Sequence, residues 1–74
     1  MKTYNDIYLD TRRALRNAGI EAYGLEARLL LAAAADKSPE EFLRDLRLYP
    51  GGDFEVRAAD MLRRRLEGEP CDRC

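Results

Sequence analysis

Ser38-Pro39-Glu40-Glu41-Phe42-Leu43 marks the start of a helix in three independent ways. Ser38 can serve as the N-cap. Pro39 falls at the first helical position, where its missing N–H breaks no intrahelical bond. Glu41, three residues after the serine, closes an S-x-x-E capping box. Phe42, Leu43 and Leu46 then supply the apolar side of a short third helix, and Tyr49-Pro50-Gly51-Gly52 breaks it. Residues 46–49 are expected to add one more turn before the break.

Upstream, residues 24–35 read as a second helix. Leu25, Leu29, Leu30 and Leu31 point in several directions and a run of alanines fills the rest. A helix that is apolar nearly all round belongs at the centre of a bundle. The alanines combine high helix propensity with room for close approach. Its start is weakly marked, because Glu21-Ala22-Tyr23 offers no clean cap.

Residues 3–18 form an amphipathic first helix. Tyr4, Ile7, Tyr8, Thr11, Leu15 and Ala18 follow steps of three and four. Thr3 can cap it, with Asp6 three residues on, and Gly19-Ile20 suits a left-handed C-terminal exit. Downstream, Asp53 is expected to cap a last helix ending near Glu67-Gly68. Its buried stripe is Phe54, Ala58, Met61, Leu62 and Leu66, and Arg63, Arg64 and Arg65 complement the negative end of its dipole. No segment shows strand alternation. The expected architecture is all-α, a small bundle of four to five short helices over residues 1–70, with residues 71–74 as a tail or the start of a linker.

The 74 residues are enough for one small domain, and 46% hydrophobic with 36% charged residues is a globular composition. A net charge of −1 announces no global field for nucleic acid. The absence of histidine removes imidazole bases, Ser-His and Cys-His pairs, and every His-containing zinc site. There is no signal-peptide pattern at the N-terminus. The most apolar stretch, residues 29–35, falls far short of the roughly 20 needed to cross a bilayer. No membrane association and a cytoplasmic location are the expectation.

The chain carries no glycine-rich phosphate loop, nucleophile elbow or poised carboxylate pair. These residues by themselves therefore contain no catalytic, cofactor-binding or metal site. Cys71-Asp72-Arg73-Cys74 supplies half of a four-thiolate zinc site, or a thiol pair following a helix rather than preceding one. An exposed tail is the simpler reading.

Helical spacing divides the three consecutive arginines. Arg63 points away from the apolar stripe, Arg64 lies at its margin, and Arg65, four residues after Met61 and seven after Ala58, falls on the core side. Glu26 is the matching oddity, with Leu29, Leu30 and Ala33 beside it on an apolar side of the second helix. Unpaired buried charge is costly. Glu26 and Arg65 are therefore expected to pair and to fix the last helix against the second.

Arg64-Arg65-Leu66-Glu67-Gly68-Glu69-Pro70 resembles the R-R-x-x-G-E-P segment that closes the N-terminal domain of peptide chain release factor glutamine methyltransferases, the HemK-type enzymes. Glu26-Ala27-Arg28-Leu29-Leu30-Leu31-Ala32 resembles their [DE]-A-x-x-L-L-x-[AH] helix. Gly19-Ile20 and Ser38-Pro39-Glu40-Glu41-Phe42-Leu43 fall where that family leaves its first helix and begins its third. After Pro70, Cys71-Asp72-Arg73-Cys74 departs from the family pattern of an apolar residue followed by a Tyr-containing segment.

The resemblance implies a helical substrate-recognition domain joined to a Rossmann-like catalytic domain that uses S-adenosylmethionine. Such enzymes methylate the glutamine of the G-G-Q motif in class I release factors. Their N-P-P-Y and cofactor-loop motifs do not occur in these residues, so no catalytic residue carries over. The implied partners are a class I release factor and the domain's own catalytic domain. Glu26, Arg64, Arg65, Glu69 and Pro70 match family positions and are expected to act structurally at the domain junction. Arg44, Arg47, Arg57 and Arg64 are candidates for partner contact on charge alone. The competing reading is a stand-alone helical adaptor for protein or nucleic acid that uses the C-terminal arginine cluster.

Overall fold

Both capping boxes form, and they set where two of the helices begin. The Thr3 hydroxyl accepts from the Asp6 N–H while the Thr3 N–H donates to the Asp6 carboxylate. Ser38 and Glu41 make the same reciprocal pair. The structure is a computed structural model that describes residues 2–68. Within them it is all helical, with α1 (Tyr4–Asn17), α2 (Tyr23–Ala34), α3 (Pro39–Arg44) and α4 (Phe54–Leu66). Residues 46–49, expected to add a turn, do so without becoming a fifth helix; the Leu48 N–H donates to the Asp45 carbonyl.

α2 is central, as its composition requires. Ala27, Leu30, Leu31, Ala32 and Ala34 are all buried, and α1, α3 and α4 each pack against it. The small alanine side chains let three neighbours approach one helix. Tyr4, Ile7, Phe42, Phe54 and Ala58 complete the core from the surrounding helices. Tyr4 sits among the rings, edge-on to Phe54 at 4.8 Å and to Phe42 at 5.7 Å between centroids. Such aromatic pairs add about 0.5–1.5 kcal/mol each beyond the burial of their area.

The turn after α3 also holds α1. The amides of Tyr4 and Asn5, which have no partner inside their own helix, donate to the carbonyls of Leu48 and Leu46 at 3.0 and 2.9 Å. Beside them Lys37 Nζ donates to Asp45 Oδ2 at 2.6 Å and lies 5.1 Å from the centre of the Tyr4 ring. The ends of α2 and α3 are thereby tied to the start of α1.

Two features of α4 depart from the sequence expectation. Asp53 occupies the N-cap position but makes no side-chain cap, because its backbone (φ −92°, ψ 10°) is not extended. The Gly51-Gly52 turn, with Gly52 at φ +57°, brings the chain in instead, and the Phe54 N–H donates to the Gly51 carbonyl. Leu66, placed in the buried stripe by its spacing, is 44% exposed. The inward direction in the last turn belongs to Arg65.

α1 and α2 end alike but with different residues. Gly19 (φ +85°) lets the Ile20 N–H reach the Leu15 carbonyl, and Asp36 (φ +58°) lets the Lys37 N–H reach that of Ala32. An L-residue in this left-handed region costs about 1 kcal/mol relative to glycine. Asp36→Gly is therefore expected to stabilise the domain by about 1 kcal/mol, read as an upward shift of the urea midpoint at unchanged slope. A destabilised variant would mean that the Asp36 side chain contributes more than its backbone costs.

Several carboxylates are held below their ordinary pKa by hydrogen bonds to their charged form: Asp45 by Lys37 and then Arg44, Glu41 by the Ser38 backbone and hydroxyl, and Asp10 by Lys2. Their contribution is complete above the unfolded-state value near pH 4 and disappears as pH falls through the lower folded values. Melting temperature is expected to be flat from about pH 7 to 5 and to drop below about pH 4. Asp45→Asn should melt lower at neutral pH and lose less on acidification. An equal acid loss in that variant would exclude Asp45 as a source.

Candidate functional site

Glu26 and Arg65 meet across the bundle. Glu26 lies in the first turn of α2 and Arg65 in the last turn of α4. Arg65 Nε donates to Glu26 Oε1 at 2.6 Å and Nη2 donates to Oε2 at 3.3 Å, a side-on, two-pronged pair. The side chains retain 12% and 25% of their exposure. The pair therefore sits at the edge of the core, where water screens it less than a surface pair. Such geometry fixes direction as well as distance, because both carboxylate oxygens are engaged by one planar group.

The neighbouring arginines do something else. Arg63 bridges Asp60 and Glu67, each at 2.8 Å, and Arg64 reaches Asp60 at 3.2 Å. Asp60 is held below its ordinary pKa chiefly by the hydrogen bond from Arg63. All three guanidinium groups thus have acidic partners, and the cluster is not a free cationic surface. Arg44 is likewise near Glu41 and Asp45. Arg47 and Arg57 are exposed with no ion pair among the described residues. The four arginines singled out on charge therefore do not share one environment. Glu69, Pro70 and the Cys71/Cys74 pair lie outside the described residues, and no group of three or more potential metal ligands occurs within them.

A second basic feature escaped the sequence reading. Arg12 of α1 crosses to α2, where its guanidinium carbon lies 5.4 Å from the Tyr8 ring centre and 5.5 Å from that of Tyr23. The Tyr8 hydroxyl donates to the Gly24 carbonyl at 3.4 Å along the same seam. Arg28 is one turn beyond Gly24 on α2. The Nε atoms of Arg12 and Arg28 are buried without a hydrogen-bond partner. On the other side of α1, facing α4, an open groove of about 510 Å³ runs over Ile7, Thr11, Ala58 and Leu62, with the Lys2–Asp10 pair at its mouth. No described helix is long and apolar enough to cross a membrane.

Removing one member of the Glu26–Arg65 pair leaves the other poorly solvated. Glu26→Ala is expected to destabilise by about 2–3 kcal/mol, somewhat below a fully buried pair because Arg65 can still turn toward water. Glu26→Leu combined with Arg65→Met should recover most of that loss. Urea unfolding of Glu26→Leu, Arg65→Met and the double variant measures the coupling. Additive losses would show that the two groups do not act as a pair.

No curated protein and no solved structure matches the chain. A sequence model of the PrmC N-terminal domain, from the release factor glutamine methyltransferase PrmC, matches residues 6–73, nearly the whole length. The match spans the four helices from Asp6 onward, including both members of the pair that joins α2 to α4. The chain belongs to the PrmC N-terminal domain family.

Proposed function

We propose that this domain recognises the protein substrate of a release factor glutamine methyltransferase. It helps dock a class I release factor so that its G-G-Q glutamine reaches an S-adenosylmethionine-dependent catalytic domain. The methyl donor and the transfer chemistry belong to that catalytic domain, and the cytoplasm is the place of action. The observation that supports the reading is the family match over residues 6–73. The fold is consistent with it: the described residues form four packed helices.

In this reading the Glu26–Arg65 pair is structural. It sets the angle at which α4 packs against α2. The adaptor reading relied on Arg63, Arg64 and Arg65 being available, and no observation favours it now that each is paired.

The test is direct. The 74-residue chain, immobilised, should retain a purified class I release factor at moderate salt and should not retain an unrelated acidic protein of similar size. Equal retention of both, or of neither, would overturn the proposal.

A further inference from the structure

Six arginines among the described residues have no ion pair, and four of them lie on α1 and α2. Arg12, Arg13 and Arg16 lie along the second half of α1, and Arg28 is on α2, the helix that Arg12 reaches across to. The acids between residues 11 and 28 are Glu21 and Glu26, and Glu26 is already engaged by Arg65. Arg13 lies near enough to Asp10 to help lower its pKa, but the Asp10 carboxylate is bonded to Lys2. The seam between α1 and α2 thus carries uncompensated positive charge on a chain whose net charge is −1.

The charge is also held in place. A surface arginine ordinarily samples many rotamers, whereas Arg12 lies over two tyrosine rings. Cation–π contact of this kind favours that one arrangement of the side chain. A side chain ordered in advance loses less entropy on binding. The Nε atoms of Arg12 and Arg28 are buried, which restricts both side chains further.

We propose that the α1–α2 seam is the docking face of the domain, and that it grips a carboxylate-bearing segment of its protein partner through Arg12, Arg16 and Arg28. This rests on the release-factor reading above and names the surface and chemistry of that contact. An aspartate or glutamate would engage the outer Nη groups of the guanidiniums, because the Nε atoms of Arg12 and Arg28 are buried. Phosphate of a single-stranded nucleic acid is the less suitable ligand. Such recognition relies on exposed aromatic faces for base stacking. Here Tyr8 is held by Arg12 and by an edge contact with Phe42, and Tyr23 by Arg12.

The experiment measures release-factor affinity by calorimetry for the 74-residue chain and three variants. Arg13→Glu/Arg16→Glu changes two exposed side chains, so folding is checked by an unchanged melting temperature. It should weaken binding by roughly tenfold or more. Arg12→Lys keeps the charge but loses the planar fork, and should weaken binding several-fold. Arg63→Ala removes a charge on α4, away from the seam, and should leave binding unchanged. A poly-glutamate peptide should compete with the release factor, and an oligouridylate of equal charge should compete less. Binding by the wild-type chain that Arg13→Glu/Arg16→Glu does not weaken overturns the seam while leaving the release-factor reading intact. No binding by the wild-type chain overturns both. Stronger competition by oligouridylate overturns the carboxylate assignment.

Discussion

A carboxylate at the edge of a very small core fixes the shape of this domain. Glu26 sits in the first turn of the helix that all others touch, and burial there would be costly without Arg65 from the far end of α4. Hydrophobic contacts are non-directional and leave the orientation of a helix loosely specified. The two-pronged pair removes that freedom for α4, because planar groups meet correctly in few orientations. Its net contribution to stability is small compared with the loss on breaking it. Its role is directional: it specifies how the last turn of α4 meets the first turn of α2.

The remaining ties work on the same principle at other points of the bundle. Ala27, Ala32 and Ala34 bring three helices close to α2, but small side chains bury little area. The larger part of the core comes from Tyr4, Phe42, Phe54, Leu30 and Leu31. A domain of this size has only a few kcal/mol to spare. Directional contacts around the core therefore matter: Lys37 to Asp45 beside Tyr4, and the α3 exit turn against the start of α1.

The helix starts with strong local chemistry were legible in the sequence. Thr3/Asp6 and Ser38/Glu41 each act within four residues, so no tertiary knowledge is needed to see them. The opposed Glu26 and Arg65 were also legible, because each broke an otherwise apolar helical stripe. Asp53 was misread as a cap since its role depends on backbone angles set by the Gly51-Gly52 turn. Asp36 gave no sign of standing in for a glycine. The α1–α2 seam was invisible for a different reason. Whether an arginine is free depends on which acids fold next to it, and Arg12 looked no different in sequence from Arg63 or Arg64. Local spacing cannot show that the last two have partners and the first lies over two rings.

The turn after α3 has a consequence for how the molecule breathes. The first amides of a terminal helix usually exchange with solvent through local fraying, long before the rest of the protein opens. Here the amides of Tyr4 and Asn5 are bonded to carbonyls more than forty residues away, at Leu48 and Leu46. Unwinding the first turn must also break these two bonds and expose the buried Tyr4 ring. The very beginning of the chain is thus coupled to its middle, and its hydrogen exchange should follow opening of the whole bundle. The end that looks most peripheral in sequence becomes a reporter of global stability.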